Sequence, residues 1–265
     1  MGATVLQCVR RMSNALSLDI LVGLLPVGVN PAVFDSLPST STYLREQVKL
    51  GAPELTLVVA ASQTMGRGRF GRDFFSPPDT GVYFSILLRP APEKDMGSWL
   101  TVAAALASAE ACEAIFGVTA EIKWVNDVLV DGRKAVGILA EAFENHVILG
   151  IGANILAPDG GFPKELSNAG AFTTSAAAHS RERFVAETVT RLLVFLDGGD
   201  RGKILEAYRE RVHMTGQIVT VTKGAEKFFA TVLGIDDNAH LIVARENGII
   251  EHLSYGEVSL HNENV

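Results

Sequence analysis

The residues best able to do chemistry in this chain fall in three short stretches, of which the densest is Gln63-Thr64-Met65-Gly66-Arg67-Gly68-Arg69-Phe70-Gly71-Arg72. Three arginines are interleaved there with three glycines. Glycine lets the backbone come close to a ligand and adopt positive φ, and its N–H groups can line an anion-binding hollow. Arginine adds a planar, permanently charged fork that matches phosphate and carboxylate oxygens. The combination suits a site where a carboxylate attacks a triphosphate, because two anions must be brought together and the developing charge stabilised. Each such preorganised donor contributes about 3–4 kcal/mol to a transition state. A flexible, solvated basic loop has the same composition, but this one is short, follows a hydrophobic strand and belongs to an acidic chain.

The second stretch is Lys123-Trp124-Val125-Asn126-Asp127, followed by Asp131-Gly132-Arg133-Lys134. An Asp-Gly pair between β-favouring runs predicts a hairpin. Lys123, Asn126 and Asp127 then end one strand and Lys134 enters its partner, so that two ammonium groups aim at one pocket. Two lysines beside one anionic substrate fit adenylate formation, one neutralising the attacking carboxylate and the other the departing pyrophosphate. Asp127 is the candidate Mg2+ ligand, since that ion takes one or two carboxylates plus phosphate oxygens. Arg133 reads as a solvent-facing rim residue, and Lys134 taken alone fits a rim as well as a site. The third stretch, Gly150-Ile151-Gly152-Ala153-Asn154, places small residues where a ligand approaches a strand, or where a β-bulge forms. Asn154 can donate to and accept from an adenine edge or a ligand amide.

These groups need a scaffold. Leu55 to Ala61 and Val82 to Leu88 are apolar runs of buried-strand length on either side of the arginine loop. Trp99 to Phe116 is Ala-rich with helical spacing and stops at Gly117. Glu121 to Trp124, Val128 to Val130, Ala135 to Ala142 and Val147 to Ile151 read as strands, and Arg183 to Leu196 and Ile204 to His213 as amphipathic helices. From Gly216 onward, short strands at near-regular spacing suggest a small β-barrel or sandwich. The expected organisation is an N-terminal extension over 1–37, an α+β domain with a mixed sheet and flanking helices over 38–213, and a small β-domain over 214–265.

Bulk properties limit the alternatives. A formal net charge of −7 argues against a general nucleic-acid-binding surface. Cys8 and Cys112 are the only cysteines, too few and too far apart for a disulfide framework or a zinc site, which fits a reducing compartment. There is no unbroken apolar run of 18 residues, so no membrane span is expected. Met1 to Leu18 carry Arg10 and Arg11 and no acid, as transit peptides do; a ragged terminus, with Met12 as a later start, explains this better.

Taken in order, the segments resemble the biotin–protein ligase family. Its GRGRxGR loop matches Gly66 to Arg72 at every fixed position, its KWxND…RKxxGIL block matches Lys123 to Leu139, and its GIGxN strand matches Gly150 to Asn154. Ser39-Thr40 resembles the family's D-S-T-N segment, and Gly256 to Leu260 its GE[IV]SL close. The resemblance implies a fold related to class II aminoacyl-tRNA synthetases with an SH3-like C-terminal barrel, and ATP, biotin and Mg2+ as reactants. Ser39, Thr40 and Gln63 would bind the ureido ring, with Gly66 and Gly137 leaving room for the bicycle. Arg67 and Arg69 would hold the biotin carboxylate and the α-phosphate, while Arg72 orders the loop. Lys134 would orient the carboxylate and Lys123 stabilise phosphoryl transfer. Phe74, Asn126 and Asn154 would contact the nucleotide.

The implied partner is a biotin carboxyl carrier protein or carrier domain, in the cytoplasm, with a homodimer left open. Only Met1 to Leu37 precede the matching region, too little for the DNA-binding domain of many bacterial relatives, so neither nucleic acid nor membrane is expected as a partner. Pro38, Ser41, Phe74, Val125 and His261 depart from the usual Asp, Asn, Trp, Pro and Arg. Lipoate or octanoate ligases resemble the chain less, because their R-R-x-S/G-G-G run is absent. A non-catalytic biotin or adenylate binder would not need both Lys123 and Lys134.

Overall fold

Side-chain alternation decides this architecture, because the central strands are covered on both faces. In the computed structural model, which describes residues 15–89 and 97–260, α1 (Leu18–Leu24), β1 (Asn30–Phe34), α2 (Thr40–Lys49), β2 (Thr56–Ala60), β3 (Gly81–Leu88) and α3 (Gly97–Phe116) come first. β4 (Ala120–Lys123), β5 (Asp127–Val130), β6 (Arg133–Phe143), β7 (His146–Asn154), α4 (Ser180–Leu196) and α5 (Arg201–Arg211) complete the larger unit. Among the described residues its strands form a seven-stranded sheet in the order β1-β2-β3-β7-β6-β5-β4. The sheet is mixed: β1 runs parallel to β2 and the remaining pairs are antiparallel. Leu57, Val59, Phe84, Ile86, Leu149 and Ile151 belong to the core shared with α3 and α4. The intervening Val58, Leu87 and Ile148 pack with Leu44 and Val48 of α2 on the opposite face.

α3 ends where Gly117 takes φ +66° and its N–H caps the Glu113 carbonyl at 3.0 Å, the conformation glycine adopts without strain. This helix alone, among the described residues, is long and apolar enough to cross a membrane. Its Val102 to Ala105 segment is fully buried, so packing against the sheet and α4 accounts for that apolarity. The predicted hairpin forms between β5 and β6, with positive φ at both Asp131 and Gly132 as a type I′ turn requires. Asp127 opens β5 instead of closing a strand; it pairs across the sheet with Lys123, the last residue of β4.

Residues before 38 are not all extension. Leu21 of α1 is buried, the Ser17 N–H donates to Glu182 Oε1 at 2.9 Å, and β1 is an edge strand of the main sheet. Pro31 disguises β1 in the sequence, yet an edge strand tolerates proline because one side of it needs no donor. Cys8, Arg10, Arg11, Met12 and His261 lie outside the described residues.

The small unit comprises β8 (Ile218–Lys223), β9 (Glu226–Ile235), β10 (Leu241–Arg245), β11 (Ile250–Leu253) and β12 (Glu257–Leu260). They form an antiparallel sheet in the order β11-β10-β9-β8-β12, as an SH3-like barrel does. Trp124 Nε1 donates to the Ala239 carbonyl at 3.0 Å, and Arg209 Nε to that of Ile235 at 2.9 Å. The first bond fastens the barrel to the β4–β5 turn and the second to α5.

Candidate active site

Where β6 and β7 cross the centre of the sheet, Gly137 faces Gly152 and Leu139 faces Gly150. The absence of side chains leaves a hollow of about 440 Å³ whose lining includes Gly137, Gly150 and Gly152, the tip of α2 from Ser39 to Ser41, Gln63, and Arg67 to Arg69. Close approach is why these are glycines. A Cβ on Gly150 would come within 2.9 Å of Ser41 Oγ, and one on Gly152 within 2.5 Å of the Phe74 ring.

The polar wall of this cavity is a connected network. Thr40 Oγ1 lies 2.8 Å from Ser85 Oγ, which in turn lies 3.0 Å from Ser41 Oγ. Gln63 Oε1 accepts from the Thr40 N–H at 2.9 Å and from its hydroxyl at 3.2 Å. Gln63 Nε2 donates to Ser76 Oγ at 3.1 Å, and Ser76 donates to the Phe74 carbonyl at 2.9 Å. The Gln63 amide is therefore oriented from both ends. A rigid array of buried hydroxyls and one amide suits a small, neutral, hydrogen-bonding ring. Ser85 was missed by the sequence reading; its signal was a lone serine inside the apolar run VYFSILL.

A second, larger hollow of about 1150 Å³ adjoins the first, and Gly68, Arg69, Phe74, Asn126 and Lys134 line both. Lys123, Asp127 and Arg72 line only the larger one, as do Asn154, Glu257 of the barrel and the 165–169 segment. That segment was not anticipated. It runs beside Lys134, whose N–H donates to the Asn168 carbonyl at 2.8 Å while its own carbonyl accepts from the Gly170 N–H at 2.8 Å, fixing the lysine backbone. Lys134 Nζ lies 2.7 Å from Asp127 Oδ1. Burial holds the Lys123 ammonium below its ordinary pKa, partly offset by Asp127. Burial likewise lowers Arg69, against the pull of Asp127 and Glu257. Cations partly stripped of water beside an open cavity are prepared for an anion that brings compensating charge.

Several residues do something other than expected. Asn126 Oδ1 accepts from Arg69 Nη1 at 2.8 Å, and its Nδ2 donates to Asp127 Oδ1 at 2.9 Å and to the Ile138 carbonyl at 3.2 Å. Its amide is engaged within the protein and aims Arg69. The Phe74 ring lies against Gly137 and Gly152, edge-on to Tyr83, as a wall shared by both cavities; Phe75 also lines the second. Gly66 lines neither cavity. A Cβ there would sit 2.3 Å from the Phe74 carbonyl oxygen, so this glycine serves the turn of the loop. Arg67 lines the first cavity only, so the structure gives it no contact with the nucleotide side. Asn154 lines the second cavity and donates to the Gly170 carbonyl at 3.1 Å.

Asp127 Oδ1 already receives Lys134 and Asn126, and no group of three or more acidic, His or Cys side chains gathers for a metal among the described residues. This donor set fits one carboxylate touching an ion carried in on phosphate oxygens, as Mg2+ is commonly held.

Two sequence profiles match the chain: the Biotin/lipoate A/B protein ligase family over residues 33–154 and the Biotin protein ligase C terminal domain over 215–261. The Bifunctional ligase/repressor BirA of Bacillus subtilis is 33% identical, over 81% of this chain and 69% of that protein. The Biotin--[acetyl-CoA-carboxylase] ligase of Mycobacterium tuberculosis is 31% identical, over 77% of this chain and 79% of its own. A biotin protein ligase from Aquifex aeolicus, solved in complex with biotin and ATP, superposes with a TM-score of 0.75 at 26% identity, covering 88% of this chain and 99% of that one.

Proposed function

Because the chain belongs to the Biotin/lipoate A/B protein ligase family and is an ATP-dependent biotin–protein ligase, we propose that its two joined cavities divide the reaction between them. The glycine-floored hollow takes the biotin bicycle, with the Ser39–Ser41 tip and Gln63 at the ureido ring. The larger hollow takes ATP. The observation that carries this assignment is the shared wall: Arg69 and Lys134 border both cavities, where a carboxylate from one side meets the α-phosphate from the other.

In the first step a biotin carboxylate oxygen attacks the α-phosphorus, and the bond from that phosphorus to the bridging oxygen breaks, releasing pyrophosphate. Lys134 must exchange Asp127 for the incoming carboxylate, Arg69 stabilises the equatorial oxygens, and Lys123 faces the departing charge. Mg2+ on the triphosphate supplies further charge neutralisation, with Asp127 as the side chain positioned to touch it. In the second step an acceptor lysine amine attacks the biotinyl carbonyl; the amide bond forms, AMP leaves, and the amine proton passes to solvent. Arg69, bonded to Asn126 and to the Gly256 carbonyl, covers the junction and protects the mixed anhydride from water.

The acceptor is the carrier domain of a biotin-dependent carboxylase. The net charge of −7 supports the reading that no nucleic acid or membrane surface is a further partner, and the buried free thiol of Cys112 supports a reducing, cytoplasmic setting. The test is mass spectrometry of a carrier domain incubated with the enzyme, biotin and Mg-ATP. The expected product carries one biotinyl group on one lysine; modification by lipoate in preference to biotin would overturn the assignment of the first cavity.

A further inference from the structure

One ion cluster borders the first cavity, which Arg67 alone of its three members lines. Glu141 follows Gly137 and Leu139 on the same face of β6, two residues beyond the cavity floor. Its Oε1 accepts from Arg45 Nη2 at 2.8 Å and from Arg67 Nη2 at 3.1 Å. Arg45 projects from α2 one turn after Ser41, the helix whose tip forms the polar wall, and its guanidinium lies over the Phe143 ring, 5.2 Å from the centroid. Three separate pieces of chain (helix, strand and arginine loop) therefore converge on one carboxylate oxygen.

We infer that Glu141, braced by Arg45, is the positioning residue that holds the Arg67 guanidinium at the mouth of the first cavity to receive the carboxylate of the acid substrate. The inference rests on the assignment of that cavity to biotin. Arg67 gives one terminal nitrogen to Glu141, and a guanidinium carries five N–H donors, so the rest of the fork stays available to a substrate oxygen. Two guanidinium groups around one carboxylate leave a single positive charge, which one substrate carboxylate balances. Without Glu141 the two arginines would repel each other, and Arg67, whose side chain is 44% exposed, would turn outward. Glu141 Oε2 and Arg45 Nε are buried without a hydrogen-bond partner, an arrangement a purely structural ion pair would ordinarily complete.

The experiment measures binding of biotin and of biotinol, its alcohol analogue without the carboxylate, to the full chain by calorimetry. Loss of a charge-assisted contact predicts that Glu141→Gln reduces the preference for acid over alcohol by about tenfold, with biotinol and ATP affinities changed by less than about twofold. Arg45→Met shifts the preference the same way by about threefold and covers the case in which Glu141→Gln does not fold. In an Arg67→Ala background neither substitution has any further effect on the preference. Equal weakening of both ligands, an unchanged preference, or an effect that persists without Arg67 would overturn the inference. A wild-type chain that binds biotin but shows no preference for the acid would overturn it too. A wild-type chain that binds neither ligand would instead fail the underlying assignment of the cavity, and the inference with it.

Discussion

Arg72 meets Glu257 with both terminal nitrogens, each 2.5 Å from a carboxylate oxygen, and this fork ties the arginine loop of the main domain to the last strand of the barrel. The Arg69 bond to the Gly256 carbonyl at 3.1 Å lies beside it. The small barrel thus borders one side of the larger cavity, which we assign to ATP, and holds the loop. Replacing Glu257 with Gln is expected to raise KM for ATP about threefold to tenfold, while KM for biotin changes little. Steady-state pyrophosphate release with each substrate varied in turn measures both.

The same pair makes a prediction about pH. Arg72 holds the Glu257 carboxyl below its ordinary value of 4.5, so the folded pKa is depressed relative to the unfolded one. Its contribution to stability is then present above the unfolded pKa and is lost as pH falls through the folded pKa. Arg72 is largely exposed, which limits the pair's contribution to about 1 kcal/mol. Thermal melts of wild type and Glu257→Gln should differ slightly at neutral pH and converge in acid; a gap that widens toward acid would contradict the assignment.

Lys123 provides an alkaline signature. Burial lowers its pKa from 10.5, so its ammonium, which we assign to the departing pyrophosphate, is lost earlier than on an exposed lysine. The rate of biotin-dependent pyrophosphate release should fall on the alkaline side with an apparent pKa below 10.5. Lys123→Arg should be slower, by about tenfold, because a guanidinium does not reproduce the point charge, yet it should lack that alkaline fall.

Arg69→Gly removes the bonds to Asn126 and Gly256 and opens the junction between the cavities. The expected result is escape of biotinyl-5′-adenylate into solution, seen as biotin on bystander lysines, with carrier biotinylation still detectable. A variant that retains its adenylate would show that Arg69 does not close the site.

Gly152→Ala tests the floor. Its Cβ would approach the Phe74 ring to 2.5 Å, and that ring is already confined against Gly137 and Tyr83. KM for biotin should rise by more than about tenfold with the chain still folded, since overpacking at one such site costs about 1–3 kcal/mol. Adding Phe74→Ala should recover part of the loss.

What was legible in the sequence is local, and so is its physics. The apolar runs at β2 and β3, the Asp131-Gly132 turn, the Ala-rich α3 and the regular short strands of the barrel follow from side-chain periodicity and from positive-φ demands that neighbouring residues express. The charge and donor types of the arginine loop and of Lys123, Asp127 and Lys134 were likewise readable, because they belong to the residue itself. Tertiary structure alone decided which groups meet. Thr40, Gln63 and Ser85 join in one network because α2 caps the face of the sheet where β3 lies beside β7. Glu141 finds Arg67 across 74 residues, and Arg72 finds Glu257 across 185. Those encounters depend on strand order and on where the barrel docks, and no local spacing encodes either.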